Sequence, residues 1–150
     1  MDTLEIITLT KWLNELRRHG TYNRKWWPDP VEVRAILDYC HVMRPAYFIE
    51  VGTGNGVAAS FVAADGNLVI TFDPADRPKV YLDEKFPMSF VKGMIDFRNT
   101  EFNLTVRPNP RPCFWYIDVT GDKTVAKALS QVNALTLPGD VVYCKEFMFK

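Results

Sequence analysis

The chain has 150 residues, and its 18 basic and 18 acidic side chains give a formal net charge of zero. With 47% hydrophobic and 24% charged residues, the composition is that of a globular protein and excludes an intrinsically disordered chain. The balanced charge excludes a histone-like polycation, and the longest apolar run, residues 57–64, is too short to cross a bilayer. We expect a single domain over residues 1–150, with an N-terminal part (1–28) and a core (29–150).

The N-terminal part combines a predicted helix with a basic and aromatic segment. The helix is indicated by apolar residues at helical spacing: Ile6, Leu9, Leu13 and Leu16. Residues 11–25 carry five basic side chains against one acidic side chain, and tyrosine and tryptophan lie among or next to them. This mixture is able to bind phosphates and stack on bases, so RNA binding through 11–25 is one interpretation. A solvated helix end and loop is the other.

A second helix has a clear start signal, with Asp29 as N-cap, Pro30 at the first helical position and Glu32 three residues after the cap. Pro45 ends it. From there strands and helices alternate. The predicted strands cover residues 46–51, 68–72, 88–91, 113–117 and 141–147. The predicted helices cover 55–64, 78–85 and 122–136, and the proline-rich stretch 102–112 is expected to be an irregular loop. This alternation predicts an α/β fold with a mostly parallel sheet flanked by helices.

The first predicted strand leads into a glycine-rich turn, which reads Glu50-Val51-Gly52-Thr53-Gly54-Asn55-Gly56. Glycines there let the backbone turn tightly and approach a ligand, and the following helix offers free N–H groups to an anion. Asp73 comes 21 residues after Gly52, at the end of the next strand. A carboxylate at this place is able to accept both hydroxyls of an adenosine ribose. Both features fall on the carboxyl edge of the sheet, where ligands bind in α/β folds.

The spacing Glu-x-Gly-x-Gly-x-Gly, with Asp73 and with Asp118 after the fourth strand, resembles the class I S-adenosylmethionine-dependent methyltransferases over residues 30–147. The resemblance implies a Rossmann-like sheet in strand order 3-2-1-4-5, without the two final strands usual in that family. It implies S-adenosylmethionine as cofactor and Asp118 facing the reactive methyl group. The cofactor-binding residues that it implies are Glu50, Gly52, Thr53, Gly54 and Gly56 for the methionine part, Asp73 for the ribose, and Met94, Ile95 and Asp96 for the adenine.

The segment 137–147, with Lys145 after a Pro-Gly turn, resembles RNA ribose 2′-O-methyltransferases, which use a Lys-Asp-Lys-Glu set. The resemblance implies catalytic roles for Lys25, Asp118 and Lys145, with Lys145 deprotonating a hydroxyl, and leaves the glutamate without a counterpart. An exposed charge on a sheet edge is the alternative interpretation of Lys145. No convincing set of metal ligands accompanies Asp118, so we expect no metal. The acceptor is expected to be an RNA ribose hydroxyl or a small-molecule oxygen.

A catalytically inactive methyltransferase-fold subunit is the second hypothesis, because the glutamate and the final strands have no counterpart. The apolar strand edge 141–149 then predicts a homo-oligomer or a partner subunit. No membrane contact is expected. The three cysteines, Cys40, Cys113 and Cys144, are odd in number and lack a Cys-x-x-Cys spacing, which favours a reducing, cytoplasmic location.

Overall fold

The structure, a computed structural model, describes residues 28–85 and 87–145. Five strands form one sheet, and every pairing between neighbours is parallel. The strands are β1 (Phe48–Val51), β2 (Val69–Phe72), β3 (Ile95–Arg98), β4 (Phe114–Ile117) and β5 (Val141–Cys144). Their order across the sheet is β3-β2-β1-β4-β5, which confirms the predicted order 3-2-1-4-5.

Helices cover both faces of this sheet. On one face lie α1 (Pro30–Met43), α2 (Val57–Ala64) and two 3₁₀ helices (Val80–Leu82 and Pro87–Met94), and on the other lies α3 (Asp122–Asn133). The start of α1 follows its sequence signal, because the Asp29 carboxylate accepts a hydrogen bond from the Val31 N–H at 2.9 Å. Arg44 ends the helix in the left-handed region, one residue before Pro45.

The three central strands, β1, β2 and β4, are buried along their whole length. Alternate residues enter two separate cores, as the two-residue period of a strand requires. Phe48 and Tyr116 pack with α1 and α2, whereas Ile49 and Trp115 pack with α3. The carboxyl ends of these strands are therefore anchored from both sides, which gives the residues that follow them a rigid base.

The predicted third strand, 88–91, is wrong. Those residues belong to the 3₁₀ helix Pro87–Met94, and β3 follows at Ile95–Arg98. Val91 is buried in the core on the α2 side of the sheet. The actual strand, Ile-Asp-Phe-Arg, alternates apolar and polar residues and is only partly buried at the edge of the sheet. Apolar character alone favoured the wrong segment. The other predicted strands are confirmed in place, with bounds shifted by one to three residues.

Candidate functional site at the carboxyl edge of the sheet

Three of the predicted site residues come together directly after three adjacent strands. Gly52 follows β1, Asp73 follows β2 and Asp118 follows β4. The sheet ladder continues into them, since the Gly52 N–H donates to the Phe72 carbonyl and the Asp118 N–H donates to the Val51 carbonyl, both at 2.8 Å. The parallel arrangement thus places residues far apart in sequence on one rigid edge.

A cavity of about 410 Å³ opens at this edge, on the α3 side of the sheet. This volume lies within the range of roughly 300 to 1,000 Å³ that small-molecule sites occupy. Its wall includes apolar side chains of strand ends and loops: Val51, Phe72, Phe102 and Val119. Its polar and glycine lining includes Gly52, Gly54, Asp73, Arg77, Glu101, Asp118, Thr120, Lys123, Thr124, Lys127 and Gln131.

Gly52 is required by the close approach of two chain segments. Its φ is +100°, and a Cβ atom built there would lie 2.0 Å from the Asp118 carbonyl oxygen. No side chain fits at that distance, and the positive φ disfavours any residue other than glycine. The glycine therefore lets the Asp118 backbone sit against the β1 turn, which sets where the Asp118 side chain begins.

Asp73 is 6% exposed and holds the glycine turn by its carboxylate. One oxygen accepts the Gly54 N–H at 3.0 Å, and the other accepts the Ala75 N–H at 2.9 Å. Arg77 lies 3.5 Å from the same carboxylate. Each carboxylate oxygen has two acceptor positions, so one N–H bond to each leaves capacity for two ligand hydroxyls.

Glu50 lies behind the turn and does not line the cavity; it is 1% exposed. Thr71 donates a hydrogen bond to it at 2.7 Å, and the Thr71 and Thr53 hydroxyl oxygens lie 2.6 Å apart. Burial raises the pKa of Glu50 to about 8, and the hydrogen bond from Thr71 opposes this only in part. Glu50 is thus linked to the glycine turn through a chain of two hydroxyls.

Lys79 also belongs to the site, although no sequence motif points to it. It is 5% exposed, and its ammonium donates to the Gly54 and Arg77 carbonyls, both at 2.9 Å. Burial lowers its pKa, although Asp73 and Asp76 oppose this. These bonds connect the glycine turn to residues 77–79, so both Asp73 and Lys79 hold the turn in place.

Lys145, predicted as catalytic, lies beside Asp118 at the ends of β5 and β4. Its ammonium is 3.9 Å from an Asp118 oxygen and 3.8 Å from a Glu32 oxygen of α1. All three side chains are at most 23% exposed. The structure therefore brings Asp118 and Lys145 together, and it adds Glu32, which the sequence indicated only as part of a helix start.

Glu32 is held by a second partner. The hydroxyl of Tyr116, a fully buried residue of β4, donates a short hydrogen bond to its other oxygen. Burial and the nearby Asp118 and Glu32 carboxylates raise the Tyr116 pKa, so the tyrosine stays a proton donor. Sequence reasoning missed this contact because 84 residues separate the two partners.

Met94, Ile95 and Asp96 do not follow the third strand as the sequence interpretation required. Met94 ends a 3₁₀ helix, and Ile95 pairs with Val69 at the amino end of the sheet. The error in strand position caused this misplacement. The residues that do follow β3 include Glu101 and Phe102, and both line the cavity.

Several predicted features lie outside the described residues: Lys25, the basic segment 11–25 and residues 146–149 of the strand edge. Within the described ranges, no group of three or more histidine, cysteine or acidic residues is arranged to hold a metal ion. Within the same ranges, no helix is long and apolar enough to cross a membrane.

No known family model matches the chain, and no curated protein matches its sequence. Solved structures do match it. The O-methyltransferase TomG from Streptomyces achromogenes, solved with SAM, aligns over 96% of this chain and 66% of its own, with a TM-score of 0.59 and 12% identity. An O-methyltransferase from Bacillus cereus, solved with SAH, aligns over 91% of this chain and 63% of its own, with a TM-score of 0.53 and 13% identity.

The 23S rRNA methyltransferase ErmE aligns over 77% of this chain and 44% of its own, with a TM-score of 0.50 and 18% identity. The chain thus spans less than two thirds of the length of each of these three structures. At such low identity the likeness concerns architecture. The strand order, the parallel pairing and these matches together show that the chain has the Rossmann-like fold of class I S-adenosylmethionine-dependent methyltransferases.

Proposed function

We propose that the chain binds S-adenosylmethionine and transfers its methyl group to an oxygen acceptor. One observation carries the proposal: the glycine turn after β1 and the Asp73 carboxylate after β2 line the same cavity of about 410 Å³. The two matched O-methyltransferases, solved with SAM and with SAH, support this choice of cofactor and acceptor.

The residues present fit this cofactor. Asp73 has capacity for two ribose hydroxyls, as described above, and the apolar rings of Phe72 and Phe102 offer a surface for the adenine. Gly52 and Gly54 allow the methionine part to approach the backbone. Glu50, Thr53 and Gly56 are not among the cavity-lining residues, so we assign them to supporting the turn from behind.

Asp118 and Lys145 are the residues that we assign to the acceptor. S-adenosylmethionine, when bound, supplies an electrophilic methyl group on a sulfonium, so the new O–CH₃ bond forms as the S–CH₃ bond breaks and its electron pair returns to sulfur. Asp118 lines the cavity, and we assign it to accept the hydroxyl proton. Lys145 is not among the cavity-lining residues, and its ammonium, 3.9 Å from Asp118, would stabilise the developing oxyanion from beside that carboxylate. The sequence-based alternative, in which Lys145 itself removes the proton, stays a prediction.

An RNA ribose hydroxyl is our first choice of acceptor and a small-molecule hydroxyl the second. The Lys145–Asp118 pair, the match to an rRNA methyltransferase and the basic composition of residues 11–25 support RNA. The matched TomG structure, described as involved in tomaymycin synthesis, supports a small molecule. We include Lys25 in the RNA proposal because it is one of the basic residues of the segment 11–25.

Calorimetric titration with S-adenosylhomocysteine tests cofactor binding. The wild type is expected to bind, and Asp73→Asn is expected to weaken binding about tenfold or more, because a charge-assisted hydrogen bond to a hydroxyl is lost. Asp76→Asn is the matched control, since Asp76 is exposed, close in the chain and not among the cavity-lining residues. A wild type that does not bind, or equal affinities in the wild type and Asp73→Asn, contradicts the proposal.

A catalytically inactive subunit is the second candidate, and one observation favours it. Gly52 is already required by the Asp118 carbonyl, and Asp73 is already engaged by Gly54 and Ala75, so both motif residues have roles in packing alone. Absence of S-adenosylhomocysteine binding in a folded wild type supports this candidate. Its partner, a second copy or another chain, would pair with β5 (Val141–Cys144), the outer strand of the described sheet on that side.

We further propose a cytoplasmic location. Cys40, Cys113 and Cys144 form no disulfide with one another in the structure. Reduced cysteines suit a reducing compartment.

A further inference from the structure

We propose that Glu32 is a positioning residue, which holds the Lys145 ammonium beside Asp118, a residue that lines the cavity. The inference rests on the proposed function and adds to it a residue from α1, an element that does not line the cavity. It is carried by the contacts that join the three charged side chains and by the way Glu32 itself is held.

The three charged groups come from three separate elements. Glu32 belongs to the first turn of α1, Asp118 follows β4 and Lys145 follows β5. The Lys145 backbone is fixed as well, because its N–H donates to the Ile117 carbonyl at 3.0 Å. The ammonium lies almost midway between the carboxylates, at 3.8 Å from Glu32 and 3.9 Å from Asp118. Neither contact alone therefore fixes the position of the ammonium.

Glu32 is rigid because Tyr116 binds its second oxygen. Tyr116 lies in the central strand β4, and its ring packs between Phe48 at 5.8 Å and Tyr143 at 5.6 Å, measured between ring centroids. The hydroxyl of Tyr116 points to Glu32 and donates to it. One oxygen of Glu32 thus takes its position from the sheet, and the other oxygen is presented to Lys145.

The arrangement affects the charge balance around Asp118, the one member of the trio that lines the cavity. With Glu32 in place, Lys145 is shared between two carboxylates, so Asp118 is not the sole counter-ion of the ammonium. Without Glu32, the ammonium pairs with Asp118 alone, which weakens Asp118 as a proton acceptor. An acceptor hydroxyl needs both groups, a carboxylate for its proton and a cation for its oxygen. With Glu32 in place, the Asp118 carboxylate remains able to accept the proton, and the Lys145 ammonium remains able to stabilise the oxygen.

Competitive acetylation of lysines, followed by peptide mass spectrometry, measures how strongly the Lys145 amine is held. Glu32→Gln is expected to raise the acetylation rate of Lys145 about threefold, the factor that corresponds to one partly exposed ion pair. Glu32→Asp keeps the charge and is expected to return the rate to nearly the wild-type value. Buried Lys79 is the internal reference, because its protection from acetylation reports that the fold is intact.

Asp38→Asn is the matched control, since Asp38 lies on the same helix and pairs with Arg34 at an exposed position. Titration of S-adenosylhomocysteine into Glu32→Gln separates this inference from the proposed function. The affinity is expected to stay within about twofold of the wild type, because Glu32 is not among the cavity-lining residues.

An unchanged Lys145 rate in Glu32→Gln, or an equal rise in Asp38→Asn, overturns the positioning role. An affinity loss as large as that of Asp73→Asn also overturns it, because Glu32 would then act on the cofactor. If Lys145 responds as expected while the wild type fails to bind S-adenosylhomocysteine, the proposed function fails and the contact stands.

Discussion

Asp140 and Glu50 are two carboxyl groups of this fold whose pKa values move in opposite directions. Glu50 is a fully buried residue with 1% exposure, whereas Asp140 is a partly exposed turn residue whose side chain is 2% exposed. The pKa of Asp140 falls to about 2, and that of Glu50 rises to about 8. Since burial raises both pKa values, the fall at Asp140 comes from its hydrogen-bond partners.

Asp140, in the turn before β5, is surrounded by donors. Both terminal nitrogens of Arg107 donate to it, and so do the Trp115 indole N–H at 3.0 Å and the Cys113 backbone N–H at 2.9 Å. A further bond comes from the Leu137 N–H at 3.1 Å. Burial alone would raise the Asp140 pKa, but the bonds from Arg107 and these N–H groups outweigh it. The charged form is therefore the stable one.

Glu50 lies in β1 on the opposite face and accepts a hydrogen bond from the Thr71 hydroxyl. Its nearest charges are mixed: Asp118 and Asp73 raise its pKa, and Lys79 lowers it only slightly. Burial dominates, so the neutral form is favoured near pH 7. The hydrogen bonds of Asp140 connect the proline-rich loop to the sheet and stabilise the charged carboxylate. Glu50, directly behind the glycine turn, has fewer hydrogen-bond donors, and its charged form is disfavoured. Shifted pKa values of this kind are common among titratable groups at functional sites.

The largest effect is expected from Asp140→Asn. The change leaves the buried Arg107 guanidinium without its counter-charge, and breaking a buried pair in this way costs about 3 to 5 kcal/mol. Urea unfolding at pH 7 measures the loss of unfolding free energy. Asp96→Asn is the control, because it removes an exposed pair with Arg98, and we expect it to cost less than about 1 kcal/mol. Similar losses in the two variants would contradict the distinction between a closed network and a surface pair.

The comparison also shows what the sequence could and could not predict. The edge with Gly52 and Asp73 was predictable, because its residues lie within local strand-and-turn patterns and their spacing follows from the fold. The short strand β3 was not, because its alternating apolar and polar residues extend over only four positions and the nearby segment 88–91 is more apolar. That single error moved the predicted adenine contacts to the wrong end of the sheet.

The partners of buried charges were beyond sequence reasoning for a different reason. Arg107 and Asp140 are 33 residues apart, and Glu32 and Tyr116 are 84 apart, so no periodic pattern joins them. Arg107 meets Asp140 because the proline-rich loop lies against the turn before β5, and Glu32 meets Tyr116 because α1 packs on the face of β4 that carries Tyr116. The sequence indicates Asp118 and Lys145 as candidates, but the distance between them and the contact of Glu32 with Lys145 required coordinates.

The next largest effect is a pH dependence that belongs to Glu50. Its pKa in the folded state, about 8, lies above the ordinary value of 4.5, so its contribution to stability is complete below pH 4.5 and is lost as the pH rises through 8. Relative to Glu50→Gln, the wild type is therefore expected to lose roughly 2 to 4 kcal/mol of unfolding free energy between pH 5 and pH 9. Denaturant unfolding at a series of pH values measures this difference.

Glu84→Gln is the control for Glu50, because Glu84 is exposed and the same chemical change there should leave the curve parallel to the wild type. The Glu50→Gln and wild-type curves must diverge toward alkaline pH. Parallel curves for the wild type and Glu50→Gln would show that the pKa of Glu50 is the same in the folded and unfolded states, and the contrast with Asp140 would disappear.

The smallest effect completes the contrast on the acid side. The Asp140 pKa of about 2 lies below the ordinary value of 3.8, so its contribution is present above pH 3.8 and is lost as the pH falls toward 2. The stability gap between the wild type and Asp140→Asn is expected to narrow by roughly 2 kcal/mol from pH 5 to pH 2. Over the same interval the wild type should not lose stability relative to Glu50→Gln but gain somewhat less than about 1 kcal/mol, because Glu50 stays protonated in the folded state and titrates only in the unfolded chain. Two carboxyls that titrate in opposite windows are thus told apart in one set of unfolding curves. A wild type that loses stability toward acid pH relative to both variants would mean that the fold holds Glu50 ionised, as it does Asp140.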